Sequence, residues 1–101
     1  MDFEKFECVD VSTAHITRRD SELLKLHSIN KVTDAGMVVC YDTEYGFFVW
    51  LSSETTSDEL FEMEFSEGFV DVFYKARESG ARYIYFDCDG TTYDELTKYD
   101  W

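Results

Sequence analysis

The residues best equipped for chemistry stand near the C-terminal end, in IYFDCDGTTYDEL, residues 84–96. There an apolar run ends in Asp87, Cys88, Asp89, Gly90 and Thr91. A strand that delivers Asp-x-Asp-Gly-Thr can present one carboxylate as a nucleophile toward a phosphoryl group and the other as a general acid. A second group lies near the start. His15, within STAHIT at residues 12–17, has the hydroxyls of Ser12, Thr13 and Thr17 beside it, the residue types of a base and its nucleophile. Three cysteines, Cys8, Cys40 and Cys88, and one further histidine, His27, complete the set of metal-ligating or nucleophilic candidates.

Each group has requirements that the rest of the chain must meet. In the haloacid-dehalogenase-like enzymes the Asp-x-Asp strand opens a much longer α/β domain, whose later strands supply a hydroxyl, a lysine and metal-binding acids. Here only ten residues follow Thr91, and neither Lys31 nor Lys75 has a spacing that nominates it as the cation. A calcium loop with Gly90 at its sixth position would begin at Tyr85 and end at Leu96, where a bidentate glutamate is needed. The segment therefore reads as a strand end followed by an Asp-Gly turn, with glycine supplying a positive φ. His15 has hydroxyls near it in sequence but no orienting group or oxyanion site, and reads as a histidine that hydrogen-bonds at a turn. The cysteines lack a Cys-x-x-Cys pair and fall in strand-like runs, so they read as small buried hydrophobes. No catalytic residue, metal or cofactor is expected.

Charge is the more informative property. Twenty-two acids against nine bases leave a net charge of -13, which argues against direct binding of nucleic acid or an anionic membrane and favours a basic partner. Between Lys31 and Lys75 no Lys or Arg occurs. The same 43 residues carry Asp34, Asp42, Glu44, Glu54, Asp58, Glu59, Glu62, Glu64, Glu67 and Asp71, with no cation among them to pair with. Glu54, Asp58, Glu59, Glu62, Glu64 and Asp71 are the candidate partner-binding residues. Carboxylates gathered at about 5 to 8 Å could imitate part of a DNA phosphate track, which carries about one charge per 1.7 Å of duplex.

The elements that must position these residues follow from periodicity. With 101 residues and 45% hydrophobic side chains, the chain makes one domain with ample core material. KFECVDVS, residues 5–12, alternates as a strand, and Thr17 with Asp20 forms a capping box that opens a helix from Arg18 to Ser28. Residues 37–42 and 47–51, MVVCYD and FFVWL, are apolar on both faces and read as two central strands covered by helices or by a partner. Thr43 to Gly46 join them in a hairpin turn closed by a left-handed glycine. A short helix after a Ser57 cap falls in the acidic insertion. A longer one starts at a Ser66 cap, places Phe69, Val72, Phe73 and Ala76 on one side, and stops at Gly80. Residues 82–87 form the last strand. The order predicts an α+β domain over residues 1–101, a four-stranded antiparallel sheet with two main helices in the ferredoxin-like βαββαβ arrangement.

Two short motifs, Ser-Thr-Ala-His-Ile at residues 12–16 and Tyr-Asp-Trp at residues 99–101, together with the late Asp-Gly turn, carry a resemblance to a family of small uncharacterised bacterial and mobile-element proteins. The resemblance implies no catalytic assignment. It implies that the two motifs are linked features of one fold, and that the setting is a phage or mobile element.

The reading that follows is a non-enzymatic acidic module. Its finer form is a DNA mimic that inhibits a nucleic-acid-binding defence protein of the anti-CRISPR or anti-restriction type. The alternative is a structural or regulatory subunit that forms a homodimer through its aromatic sheet. No apolar run approaches the roughly 20 residues of a membrane span, and MDFEKFECVD has no signal-peptide pattern. The expected compartment is the cytoplasm, that of the host cell if the protein is phage-encoded.

Overall fold

The computed structural model describes residues 1–28 and 38–101. The polar stretch 30–36, with Asp34, and Met37 at the start of the second expected strand lie outside the described residues. The elements run β1 (Cys8–Ser12), a 3-10 turn (Thr13–His15), α1 (Arg18–His27), β2 (Cys40–Asp42), β3 (Gly46–Trp50), α2 (Ser57–Glu62), α3 (Glu67–Glu78) and β4 (Tyr83–Asp87).

Local chemistry accounts for most of these boundaries. Thr17 accepts from the Asp20 amide while the Asp20 side chain accepts from the Thr17 amide, so the capping box opens α1. Ser66 caps α3, and Gly80 follows its end with φ of 94°. The cap of α2 is Thr56 instead of Ser57, which is already helical.

The hairpin forms, with Cys40 opposite Val49 and Asp42 opposite Phe47. Its glycine has a different reason from the expected one. Among the described glycines only Gly80 has positive φ. A Cβ on Gly46 would lie 1.7 Å from the Phe86 carbonyl oxygen, so glycine is required there by the approach of β4.

The sheet is mixed, in the order β1-β4-β3-β2, with β1 parallel to β4 and the other pairs antiparallel. The antiparallel ferredoxin-like arrangement is thus corrected: there β1 lies between β3 and β4, whereas here β4 is central and β1 is at the edge. The cause is the segment between β3 and α3. Trp50, at the end of β3, faces Tyr83, at the start of β4, so α3 must descend toward that end of the sheet to deliver β4. The chain first climbs back through residues 51–66, which contain α2, the short helix expected in the acidic insertion beside the two main ones. This second crossing reverses β4. Burial follows the same order: Ile84 and Phe86 of β4 are fully buried, while β1 buries only Val11 and Ser12 at its end and exposes Cys8. β2 is likewise at an edge and not central.

The helices pack on one face of the sheet. Val11, Phe47, Val49, Ile84 and Phe86 point into a core shared with Leu23 and Leu24 of α1, Leu60 of α2, and Phe69 and Phe73 of α3. Phe69 stacks on Phe65 at 4.1 Å and lies 5.8 Å from Phe86 between ring centres. No helix among the described residues is long and apolar enough to cross a membrane.

Cys40 is fully buried in this core, and its thiol donates to the Leu24 carbonyl at 3.2 Å. Burial, with Asp42 adding to it, pushes the thiol up to about 12 from an ordinary value of 9.0. The unfolded chain therefore loses this proton first. The stability contribution is complete below pH 9 and is lost as pH rises toward about 12, by about 1.4 kcal/mol per pH unit within that window. Tyrosines and lysines also titrate there, so the check is a difference: Cys40→Ala should lose less stability than the parent in urea melts between pH 9 and pH 10.5.

Candidate functional site

The Asp-Gly segment is a turn. Asp87 Oδ1 accepts from the Asp89 amide at 3.1 Å, and the Gly90 amide donates to the Asp87 carbonyl at 2.9 Å. Gly90 does not adopt positive φ. Its missing Cβ lets the turn press on β1, since that atom would meet Val11 and Ser12 backbone at 2.9 Å. Among the described residues no group of three or more His, Cys, Asp or Glu could hold a metal ion.

His15 is fully buried and spends both ring nitrogens on the C-terminal tail. Nε2 accepts from the Tyr93 amide at 2.9 Å, and Nδ1 lies 2.7 Å from the Thr97 carbonyl. An amide can only donate and a carbonyl only accept, so the proton sits on Nδ1. The hydroxyl of Ser12 accepts from the Ala14 amide, a local cap instead of a partner for the imidazole.

This histidine belongs to a longer clasp. The Ser12 amide donates to the Thr91 carbonyl, the Tyr99 amide to the Ala14 carbonyl at 2.7 Å, and Trp101 Nε1 to the Ile16 carbonyl at 2.8 Å. The Tyr99 hydroxyl accepts from the Gly68 amide, and the Tyr93 hydroxyl donates to the Asp10 carbonyl. Residues 12–16 and 99–101 are thereby joined, and Tyr99 also reaches the first turn of α3. The sequence carried no signal for Tyr93 or Thr97, because their partners lie about eighty positions away.

Asp20 is a further residue whose reach the sequence understated. Its carboxyl group is fully buried. Besides closing the box on Thr17, it accepts from the Ser66 amide at 2.8 Å and the Ser66 hydroxyl at 2.5 Å. One side chain ties the starts of α1 and α3 together.

The six candidate acids are only partly gathered. Asp58, Glu59 and Glu62 are on α2, Glu54 in the turn before it and Glu64 in the turn after it; Asp71 lies on α3. Glu54, Asp58, Glu62 and Glu64 are exposed, whereas Glu59 and Asp71 are half-buried. Two meet cations from outside the segment: Glu64 pairs with Arg19 at 3.2 Å and Asp71 with Lys75 at 3.1 Å. Such exposed pairs contribute under about 1 kcal/mol each. Phe61 stands exposed among the acids of α2.

A second surface lies on the face of the sheet opposite the helices. Tyr41, Phe48 and Trp50 are exposed there, and Tyr83 and Tyr85 are half-buried. Continuous apolar runs in the sequence signalled it, as a face to be covered by helices or by a partner.

These features describe a small mixed α+β domain closed by its own C-terminal segment, with one acidic ridge and one aromatic sheet face. A family model matches residues 8–101, and the chain belongs to that family, the family of unknown function DUF5983, C-terminal domain. No curated protein and no solved structure matches the chain.

Proposed function

We propose that the domain is a non-catalytic acidic interaction module that docks a basic protein through the ridge around α2, and that it acts there as a DNA mimic. The observation that carries this reading is the exposure of Glu54, Asp58, Glu62 and Glu64 within eleven consecutive residues, 54–64, that contain no Lys or Arg. Local stability accounts for only part of the pattern. Asp58 and Glu59 suit the start of α2, but Glu62 ends it with no basic residue in the last turn, against the helix dipole. Glu64 has φ of 73°, where glycine would be less strained. Asp58 and Glu62 are one turn apart, with Cβ atoms about 5–6 Å from each other, a like-charge pair that weakens an isolated helix.

A row of carboxylates at that spacing beside exposed Phe61 suits a basic groove that ordinarily holds phosphates, with the ring as an apolar anchor. The finer form of the proposal is inhibition of a restriction or CRISPR nuclease by occupying that groove. The test is affinity capture of partners from the native host, followed by titration. Binding should weaken at least about tenfold between 50 and 200 mM salt and be abolished by Glu54→Lys, Asp58→Lys and Glu62→Lys together, and the partner should lose its DNA when the module is added. Binding unchanged by salt and by charge reversal would exclude the reading.

A further inference from the structure

The outer face of the sheet offers a different kind of contact. Strand register sets its side chains in rows across the strands: Cys8, Tyr83 and Trp50 in one, and Asp10, Tyr85, Phe48 and Tyr41 in the next, with Asp87 in the row beyond. Phe6 extends the surface, 5.5 Å from Tyr83, and Phe48 stacks on Tyr85 at 4.4 Å. Phe6 is 56% exposed, Trp50 41% and Phe48 37%, although apolar rings of this size favour burial. Phe6, Cys8, Tyr41, Phe48 and Tyr83 line a shallow depression of about 250 Å³.

Three occupants can be weighed on charge and area. Bases of a single-stranded nucleic acid stack on such platforms, but those sites rely on a positive groove, and a chain of net charge -13 repels the phosphates. A second copy brings the same charge of -13 against the first. Three strands of five residues and one of three, about 4.8 Å apart, also offer a flat footprint under about 300 Å². A stable interface needs about 800 Å² per partner.

A cationic segment reverses the charge argument and needs little area. Guanidinium groups stack on aromatic faces, and the chain's own Arg82 lies 4.8 Å from the centre of the Phe6 ring. Carboxyl groups stand at the end of the aromatic run, in Asp10 and Asp87, and both bonds that Asp10 receives from Thr91 use one oxygen, Oδ2.

We propose that this face binds an arginine-bearing extended segment of a basic protein, its guanidinium groups stacked on Trp50, Phe48 and Tyr83 and reaching the carboxyl groups of Asp10 and Asp87. The inference shares with the acidic-ridge reading the expectation of a basic partner but uses the opposite chemistry of a separate surface. The experiment titrates nona-arginine and nona-lysine peptides into the protein at 150 mM salt. Nona-arginine should bind at least about fivefold more tightly, and Trp50→Ala with Phe48→Ala should bring the two peptides to parity. Trp50→Leu with Phe48→Leu keeps the apolar bulk and serves if the alanine variant does not fold. Reversal of Glu54, Asp58 and Glu62 should weaken both peptides alike and leave their ratio, so loss of the α2 reading and loss of this one are separate results. Equal binding of the two peptides, a ratio unmoved by the leucine variant, a dimer in sedimentation that the variant dissolves, or binding of an oligothymidine would each overturn the proposal.

Discussion

Replacing Asp20 with alanine is expected to remove about 3–4 kcal/mol of stability. Its carboxyl group is fully buried and accepts from three donors, the Thr17 amide, the Ser66 amide and the Ser66 hydroxyl. Each buried donor left without a partner costs about 1–3 kcal/mol, although the hydroxyl can rotate toward another acceptor. For a domain of this size the loss corresponds to a fall of roughly 15–25 °C in Tm. Single caps provide the scale. Thr17→Ala and Ser66→Ala should each cost nearer 1 kcal/mol, the usual value for an N-cap. Urea denaturation of the three variants checks the ordering. If Asp20→Ala cost no more than Thr17→Ala, the link to α3 would carry no energy and the capping box alone would account for the residue.

That link shows where sequence reading reaches its limit. Thr17 and Asp20 are three positions apart, so the box is local and legible. Ser66 is forty-six positions from Asp20, and nothing local distinguishes an aspartate that caps one helix from one that caps two. The same boundary divides the rest. The hairpin, α1 and α3 follow from period and caps, which act within a few residues. Sheet order does not, because it depends on how many times the chain crosses the sheet between β3 and β4. Residues 52–65 read as an acidic insertion, yet their climb reverses β4 and makes the sheet mixed. Gly46 illustrates a subtler case: glycine was rightly singled out, but the constraint is a neighbouring strand instead of its own φ.

The candidate acids were legible as charge and illegible as a surface. A run without bases names the segment, but only the helix phase and the loop path separate exposed Asp58 and Glu62 from half-buried Glu59. Cations from outside the run, Arg19 and Lys75, were invisible to a count made within it. The aromatic face was legible only in part, for a related reason. Apolar residues on both sides of a strand predict two covers, helices or a partner, and the described helices all pack on one side.

Replacing His15 with alanine tests the clasp against a role as a base in one measurement. The ring is the only side chain in residues 12–16 that holds the tail with two hydrogen bonds, to the Tyr93 amide and the Thr97 carbonyl. Its loss leaves both groups unpaired in a partly buried site and vacates the space of a fully buried ring. The expected cost is about 2–3 kcal/mol, concentrated in residues 91–101. Local opening of the tail should then rise by about 30-fold or more, since 1.4 kcal/mol is a factor of ten. Lys98 reports it directly, because its neighbour Tyr99 is held by a backbone bond to Ala14 and its neighbour Thr97 by the ring. Trypsin should cut after Lys98 far faster in His15→Ala than in the parent under native conditions, while cuts within the folded core change little. His15→Asn, which can accept and donate from one side chain, should restore part of the protection. A base serving a hydroxyl would leave the cleavage rate unmoved. Protection equal to the parent's would mean that Tyr99 and Trp101 hold the tail without the imidazole.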